Sequence, residues 1–145
     1  MEKGIREAFG LSGRDERTYS PLTLAYLGDC VYELVLRTVI SGKAEASAKH
    51  HTAEGARLAK APSQAALIKA LLGEPDQLGL LTEEEYAIFK RGRNASPSHT
   101  AKNATTSEYR LATGFEALIG WLYLGGENER IYELIRTGWE KAGLL

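Results

Sequence analysis

Residues 21–36 read PLTLAYLGDCVYELVL, and their pattern decides the fold class. Ser20 followed by Pro21 is typical of a helix N-terminus, because serine caps the first turn and proline fits the first helical position. Apolar residues then recur on two faces at helical spacing, which predicts a long helix to about Ile40 that is buried nearly all round. One face carries Leu24, Leu27, Val31, Leu34 and Val35, and the other carries Leu22, Leu36 and Ile40.

Two acids have unusually apolar surroundings. Asp29 lies within this first segment, with Glu33 one turn further along the same side. Glu116 is the one charge in LATGFEALIGWLYL, residues 111–124. A carboxylate packed among apolar side chains is costly unless it is paired or binds a metal. Since Gly120, one turn beyond Glu116, allows another helix to approach closely, we expect two helices that cross with their acids facing.

These acids are open to two interpretations from the residues alone. Two acids on two helices can form a metal site, which favours an enzyme over a passive binding module. A buried aspartate can equally be the structural partner of an arginine or a backbone group, and Glu33 by itself is more typical of a salt bridge than of a metal ligand. Cys30 points elsewhere on the helix and is expected in the core rather than in catalysis.

The rest of the chain also carries start and stop signals of helices, and strand patterns are scarce. We predict one all-α domain, residues 1–145, of six to seven helices. The expected elements are a short first helix broken by residues 10–13, the helix from Pro21, an alanine-rich segment over 43–61 interrupted at Pro62, a helix over 64–72, a helix from the Thr82–Glu85 capping box to Gly92, a loop over 92–106, the Glu116 helix from about Ser107 to Gly125, and a last helix over 127–142.

Composition sets limits on function. The 145 residues are 43% hydrophobic and 26% charged, which suits one domain with a substantial core. The net charge is −1, so any nucleic-acid binding must come from a local patch. A single cysteine excludes an intrachain disulfide and favours the cytoplasm. No secretory leader is predicted at the N-terminus, and no apolar run approaches the ~20 residues that span a bilayer, so no membrane is expected as a partner.

The sequence around the two acids resembles that of a known protein family. LAYLGDCVYE, residues 24–33, resembles the signature helix of the ribonuclease III family, and TGFEALIGWLY, residues 113–123, resembles its second acidic helix. With RGRNA at 91–95 between them, the whole chain resembles the Mini-ribonuclease III subgroup, a catalytic domain without the double-stranded-RNA-binding domain.

The resemblance implies a homodimeric endonuclease that uses magnesium to hydrolyse both strands of double-stranded RNA, leaving 5′-phosphates and 3′-hydroxyls. Asp29 then takes the place of the signature aspartate and Glu116 that of the last metal-binding glutamate. Ala25 and Thr113 stand where full-length relatives carry two further acids, so Glu33 and water are candidates to complete the metal shell. The subgroup implies the base-paired ends of the 23S ribosomal RNA precursor as substrate. We also expect that efficient cutting needs a favoured RNA structure or a protein that presents the RNA, such as a ribosomal protein.

A basic stretch is the expected RNA contact. Residues 86–107 contain Lys90, Arg91, Arg93, Lys102 and His99 and no acid, and Asn94 and Asn103 could serve the sugar edge. The alternative is that basic residues at a helix end only complement its dipole, which explains Lys90 and Arg91 better than the others. His50 and His51 are adjacent, so they point about 100° apart and suit a surface or RNA contact better than a metal pair.

Two other classes of function are less favoured by the sequence. A catalytically inactive ribonuclease III-like protein could bind RNA or a ribosome, but it would have no reason to keep both Asp29 and Glu116. An unrelated all-α metal phosphohydrolase of the His-Asp type is disfavoured because the chain contains no His-Asp dipeptide.

Overall fold

The computed structural model describes residues 1–11, 15, 18–43, 47–95 and 105–145, and in these ranges the regular structure is seven α-helices without a strand. The all-α prediction is confirmed. None of the described helices is long and apolar enough to cross a membrane. The helices are α1 (Glu2–Ala8), α2 (Pro21–Ser41), α3 (Ala48–Ala59), α4 (Ala61–Leu72), α5 (Glu83–Ala95), α6 (Thr106–Leu124) and α7 (Asn128–Ala142).

Local capping signals place the starts of α2 and α5 as predicted. The Ser20 hydroxyl accepts a hydrogen bond from the Thr23 backbone N–H at 3.1 Å, so α2 begins at Pro21. Thr82 and Glu85 form the predicted capping box at the start of α5, with bonds of 2.9 and 3.1 Å. The expected end of α5 at Gly92 is wrong. Gly92 is buried against α6 rather than in a left-handed cap, and the helix continues to Ala95.

Helix α6 is the centre of the bundle. It packs against α2, α4, α5 and α7, and each residue from Leu111 to Leu124 is buried or partly buried. Next to it, the Tyr32 hydroxyl joins three helices, because it donates to the Leu58 carbonyl at 2.8 Å and accepts from Trp139 Nε1 at 3.1 Å. The position of α3 and α7 against α2 is thereby fixed by hydrogen bonds inside the core.

Helix α2, in contrast, is covered by α6 and α3 but leaves its outer face open, so the prediction that it is buried nearly all round is wrong. Its buried residues are Leu24, Ala25, Gly28, Tyr32, Leu36 and Ile40. The outer face stays open: Tyr26 is 80% exposed and Leu34 is 50% exposed. Cys30 is exposed too, which corrects its expected place in the core. The apolar pattern of α2 describes two surfaces, of which this chain covers one.

Candidate active site

The contact between α2 and α6 depends on two glycines. A Cβ atom added at Gly28 would overlap the Glu116 carbonyl oxygen, and one added at Gly120 would overlap the Leu24 carbonyl oxygen. The two backbones therefore touch directly, at a distance that no residue with a side chain allows. Because Asp29 follows Gly28 and Glu116 precedes Gly120 by one turn, this contact fixes the two acids relative to each other.

The carboxyl groups of Asp29 and Glu116 are hydrogen-bonded to one another. Burial, the charge of Asp29, this hydrogen bond and the charge of Glu33 together raise the pKa of Glu116 to about 9. Glu116 therefore holds its proton at neutral pH in the metal-free protein. The expectation that the two helices cross with their acids facing is confirmed.

The burial of the acids differs from the prediction. Asp29 is exposed and Glu116 is partly buried, so the interpretation of Asp29 as an acid enclosed by apolar side chains is wrong. The reason is that Asp29 lies at the edge of the contact between α2 and α6, while the apolar residues around it in sequence point to other sides of α2. The pair opens to solvent on the Asp29 side, where a substrate could reach it.

Glu33 has two neighbours. Its carboxylate accepts a hydrogen bond from Arg37 at 2.9 Å, and it lies close enough to Glu116 for its charge to raise the pKa of that group. Both interpretations of Glu33 from the sequence, salt bridge and third acid of the site, are therefore compatible with its position. Arg37 was not singled out from the sequence, although its spacing of four residues from Glu33 is a usual signal for a helical ion pair.

The two positions where longer relatives carry acids contribute none here. Ala25 is buried in the core, and the Thr113 hydroxyl donates to the Tyr109 carbonyl of its own helix at 2.9 Å. Among the described residues, no group of three or more His, Cys, Asp or Glu side chains is already arranged to hold a metal ion. The donor set still fits a hard divalent cation. Facing carboxylates repel each other when ionised, and magnesium takes oxygen ligands while it keeps several waters.

The basic C-terminal end of α5 packs against the part of α6 that carries Glu116. A Cβ atom at Gly92 would lie 2.6 Å from the Ala117 Cβ and 3.0 Å from the Gly114 Cα, so α5 passes close to α6 beside Glu116. Three predicted RNA contacts lie at this helix end. Arg91 and Asn94 are exposed, and Arg93 lies 5.6 Å over the Phe89 ring and donates to the Asn94 side-chain oxygen at 3.3 Å. Lys102, Asn103 and His99 lie outside the described residues.

An all-α bundle with a pair of facing carboxylates next to a basic helix end defines a class of nucleic-acid hydrolase, and comparison with known families agrees. The family model of the ribonuclease III domain matches residues 22–127. The chain therefore belongs to the ribonuclease III domain family.

Particular relatives narrow the assignment. The chain is 44% identical over 133 residues to the mini-ribonuclease 3 of Enterococcus faecalis, covering 90% of this chain and 96% of that protein. It is 40% identical over 124 residues to the mini-ribonuclease 3 of Clostridium tetani, covering 85% and 78%. The crystal structure of a Fusobacterium nucleatum protein superposes with a TM-score of 0.72 at 30% identity, over 85% of this chain and 93% of that one. We conclude that the chain is an endoribonuclease of this family.

Proposed function

We propose that the protein is a magnesium-dependent endoribonuclease that hydrolyses both strands of double-stranded RNA and leaves 5′-phosphates and 3′-hydroxyls. The observation that carries this proposal is the hydrogen-bonded pair of Asp29 and Glu116 at a close contact between helices that the two glycines permit. A pair of carboxylates held close together in this way is suited to a divalent cation.

Each acid has a distinct task in this proposal. Asp29 and Glu116 hold the cation, and Glu33 with water completes its shell. The raised pKa of about 9 keeps a proton on Glu116 in the metal-free protein, and Glu116 would release that proton on binding a cation. Bound magnesium supplies a Lewis acid that acidifies the attacking water and stabilises charge on the phosphate and the leaving oxygen. The protein needs no nucleophile of its own, because water is the attacking group.

Contact with RNA is assigned to Arg91, Arg93, Asn94, Lys102 and Asn103. The described members of this set lie on the end of α5 that packs against α6 beside Glu116. A-form RNA is recognised largely through phosphates and 2′-hydroxyls across its minor groove, and these side chains carry the matching charges and hydrogen-bonding groups. A duplex held there would lie close to the acid pair.

A homodimer with two sites is part of the proposal. Leu22 and Tyr26 are 44% and 80% exposed, and they are followed on the same side of α2 by Cys30, next to Asp29. Large exposed apolar residues next to a site are typical of a surface that another chain covers. A two-fold dimer through this surface would present two acid pairs to the two antiparallel strands of one duplex.

The natural substrate that we propose is the base-paired end of the 23S ribosomal RNA precursor, which the enzyme would mature in the cytoplasm. Because the net charge is −1 and the basic RNA contacts are few, affinity for generic duplex should be low and dependent on salt. A favoured RNA structure, or a ribosomal protein that presents the RNA, would then supply the selectivity.

The experiment that tests this function is cleavage of a duplex RNA with and without magnesium, compared with single-stranded RNA of the same sequence. Asp29→Asn and Glu116→Gln should each abolish cleavage while the folded state is retained, because an amide removes the charge but little volume. Glu74→Gln, an exposed acid in a turn, is the matched control and should cleave like the wild type. Cleavage by either active-site variant near the wild-type rate would refute the assignment. Binding without cleavage by the wild type would favour the alternative of a catalytically inactive RNA-binding protein.

A further inference from the structure

A cavity lies between α2 and α3, one turn of α2 beyond the acid pair. It encloses about 330 Å³, which is within the range of about 300–1,000 Å³ of small-molecule sites. Its floor is apolar and includes Leu36, Ile40 and Ala59, and its rim carries Glu33, Arg37 and His51. Gly55 keeps it open, because a Cβ atom there would meet only the Ile40 Cδ1 atom, at 3.9 Å.

His51 provides an unused hydrogen-bonding group at this cavity. Its Nε2 atom is buried and has no hydrogen-bond partner among the residues that the structure describes. A buried polar atom without a partner costs free energy, and a hydrogen bond to a group in the adjoining cavity would remove that cost.

The charges on the rim favour an uncharged occupant over a phosphate. Arg37 is paired with Glu33 at 2.9 Å, so the two opposite charges largely cancel. An apolar floor with a neutral, hydrogen-bonding rim suits a flat group with apolar faces and a polar edge. Nucleobases have this chemistry, and proteins recognise unstacked bases by stacking them on arginine or histidine and by hydrogen bonds to their edges.

We propose that this cavity, bounded by Arg37, His51 and Gly55, receives the base of one unpaired nucleotide of the RNA substrate. The inference rests on the proposed function and deepens it, because it gives the same active site a means to select duplexes. Glu33 connects the two places: it belongs to the cavity rim and also adjoins the acid pair. Arg37 and Ile40 follow Glu33 by one to two turns of about 5.4 Å each, so a base in the cavity lies within a few nucleotides of the scissile bond.

The test measures binding in the absence of divalent ions, so that no RNA is cut. Three forms of one duplex are compared: fully paired, with a single unpaired nucleotide, and with an abasic nucleotide in the same bulge. The bulge is moved stepwise through the positions around the cleavage site that the wild type uses in magnesium. At one position, the wild type should bind the bulged duplex about tenfold more tightly than both the paired and the abasic forms, which is the effect of one stacked base.

Two variants test whether the cavity causes this ratio. Gly55→Leu fills the cavity and should bring the ratio to about one, and His51→Ala should reduce it by removing the hydrogen bond. Ala53→Leu adds the same side chain to an exposed position of α3 outside the cavity and should keep the ratio. Thermal unfolding confirms that each variant is folded.

Several outcomes would overturn the inference. An abasic bulge that binds as tightly as the natural one would show recognition of backbone shape without the base. A bulged-to-paired affinity ratio of one at all positions in the wild type, or an unchanged ratio in folded Gly55→Leu, would show that the cavity does not recognise the base. The proposed function would still stand if the wild type cleaved paired duplex. A wild type that neither binds nor cuts duplex RNA would refute the proposed function itself and this inference with it.

Discussion

Helix α2 is packed in opposite ways on the two sides that other helices cover. Toward α6, Gly28 meets backbone directly and leaves no space for even one methyl group. Toward α3, Gly55 of the facing helix leaves open space that only the Ile40 Cδ1 atom approaches, at 3.9 Å. The same residue type thus makes one contact rigid and keeps the other loose. The rigid contact positions the acids, and the loose one leaves a cavity beside them.

The largest effect on stability should come from adding a methyl group at the tight contact with α6, compared with adding one at the open contact with α3. Gly28→Ala and Gly120→Ala force apart two backbones and should lower the free energy of unfolding by about 3 kcal/mol, the upper end of the usual cost of overpacking. Gly55→Ala meets no obstacle and should raise it by up to about 1 kcal/mol, the difference in helix propensity. Urea unfolding of the three variants measures these changes. If all three shifts had the same sign, the two sides of α2 would not differ as described.

The rigid side should also impose a pH dependence on stability. Glu116 has a usual pKa of 4.5 and a folded-state pKa of about 9, so the folded protein holds more protons than the unfolded one between these values. Stability of the metal-free protein should therefore fall as pH rises through this interval and become independent of this group above it.

Chemical unfolding from pH 5 to pH 9, with a chelator present, measures this effect, and Glu116→Gln should flatten the curve. Added magnesium should stabilise the wild type more at pH 8 than at pH 6, because the cation competes with the proton for Glu116. If the stability of the wild type changed with pH across this interval in the same way as the stability of Glu116→Gln, the raised pKa would be contradicted.

The third side of α2, which faces outward, should respond at the level of assembly. Tyr26→Ser removes a side chain that is 80% exposed in the isolated chain and should weaken dimerisation at least about tenfold, as expected for an aromatic residue at the centre of an interface. Tyr132→Ser, on α7 and 49% exposed, is the matched control. Sedimentation equilibrium measures both constants. A monomeric wild type that cuts both strands in one encounter would exclude the proposed dimer.

The smallest effect is expected in the basic stretch of sequence that starts at the end of α5 and includes Lys102, which lies outside the described residues. Arg93→Ala or Lys102→Ala should weaken RNA binding and reduce the slope of log affinity against log salt by about one unit. Cleavage at saturating RNA should survive better than in Asp29→Asn. Arg136→Ala, on the exposed surface of α7, is the control and should leave the slope unchanged. An unchanged slope in both test variants would move the RNA surface to α3, which carries His50 and Arg57, and to Lys60 at its C-terminal cap.

The parts of the structure that depend on neighbours in sequence could be predicted. The caps at Ser20 and Thr82 are local, so the starts of α2 and α5 follow from the residues themselves. Gly120 indicated the close contact with α2 because glycine one turn from an acid, within an apolar helix, has few other uses.

The exposure of α2 could not be predicted in the same way. Tyr26 and Leu34 have the composition of a core but are not covered by this chain, and an apolar pattern does not say which chain covers it. For the same reason Asp29 and Cys30 were expected inside and lie outside. The cavity at His51 depends on the distance between α2 and α3, which no local signal specifies.

The contact at Gly28 and Gly120 also restricts how this sequence can evolve. A side chain that clashes with another side chain can be accommodated when the second one becomes smaller. Here each added atom would meet a main-chain carbonyl oxygen, of Glu116 or of Leu24, and every amino acid carries that oxygen. A smaller side chain elsewhere can therefore not compensate for a change at either glycine, and a substitution at either one alone should disrupt the contact. Functional descendants of this chain should instead reach new substrates through changes in α3 or at the end of α5.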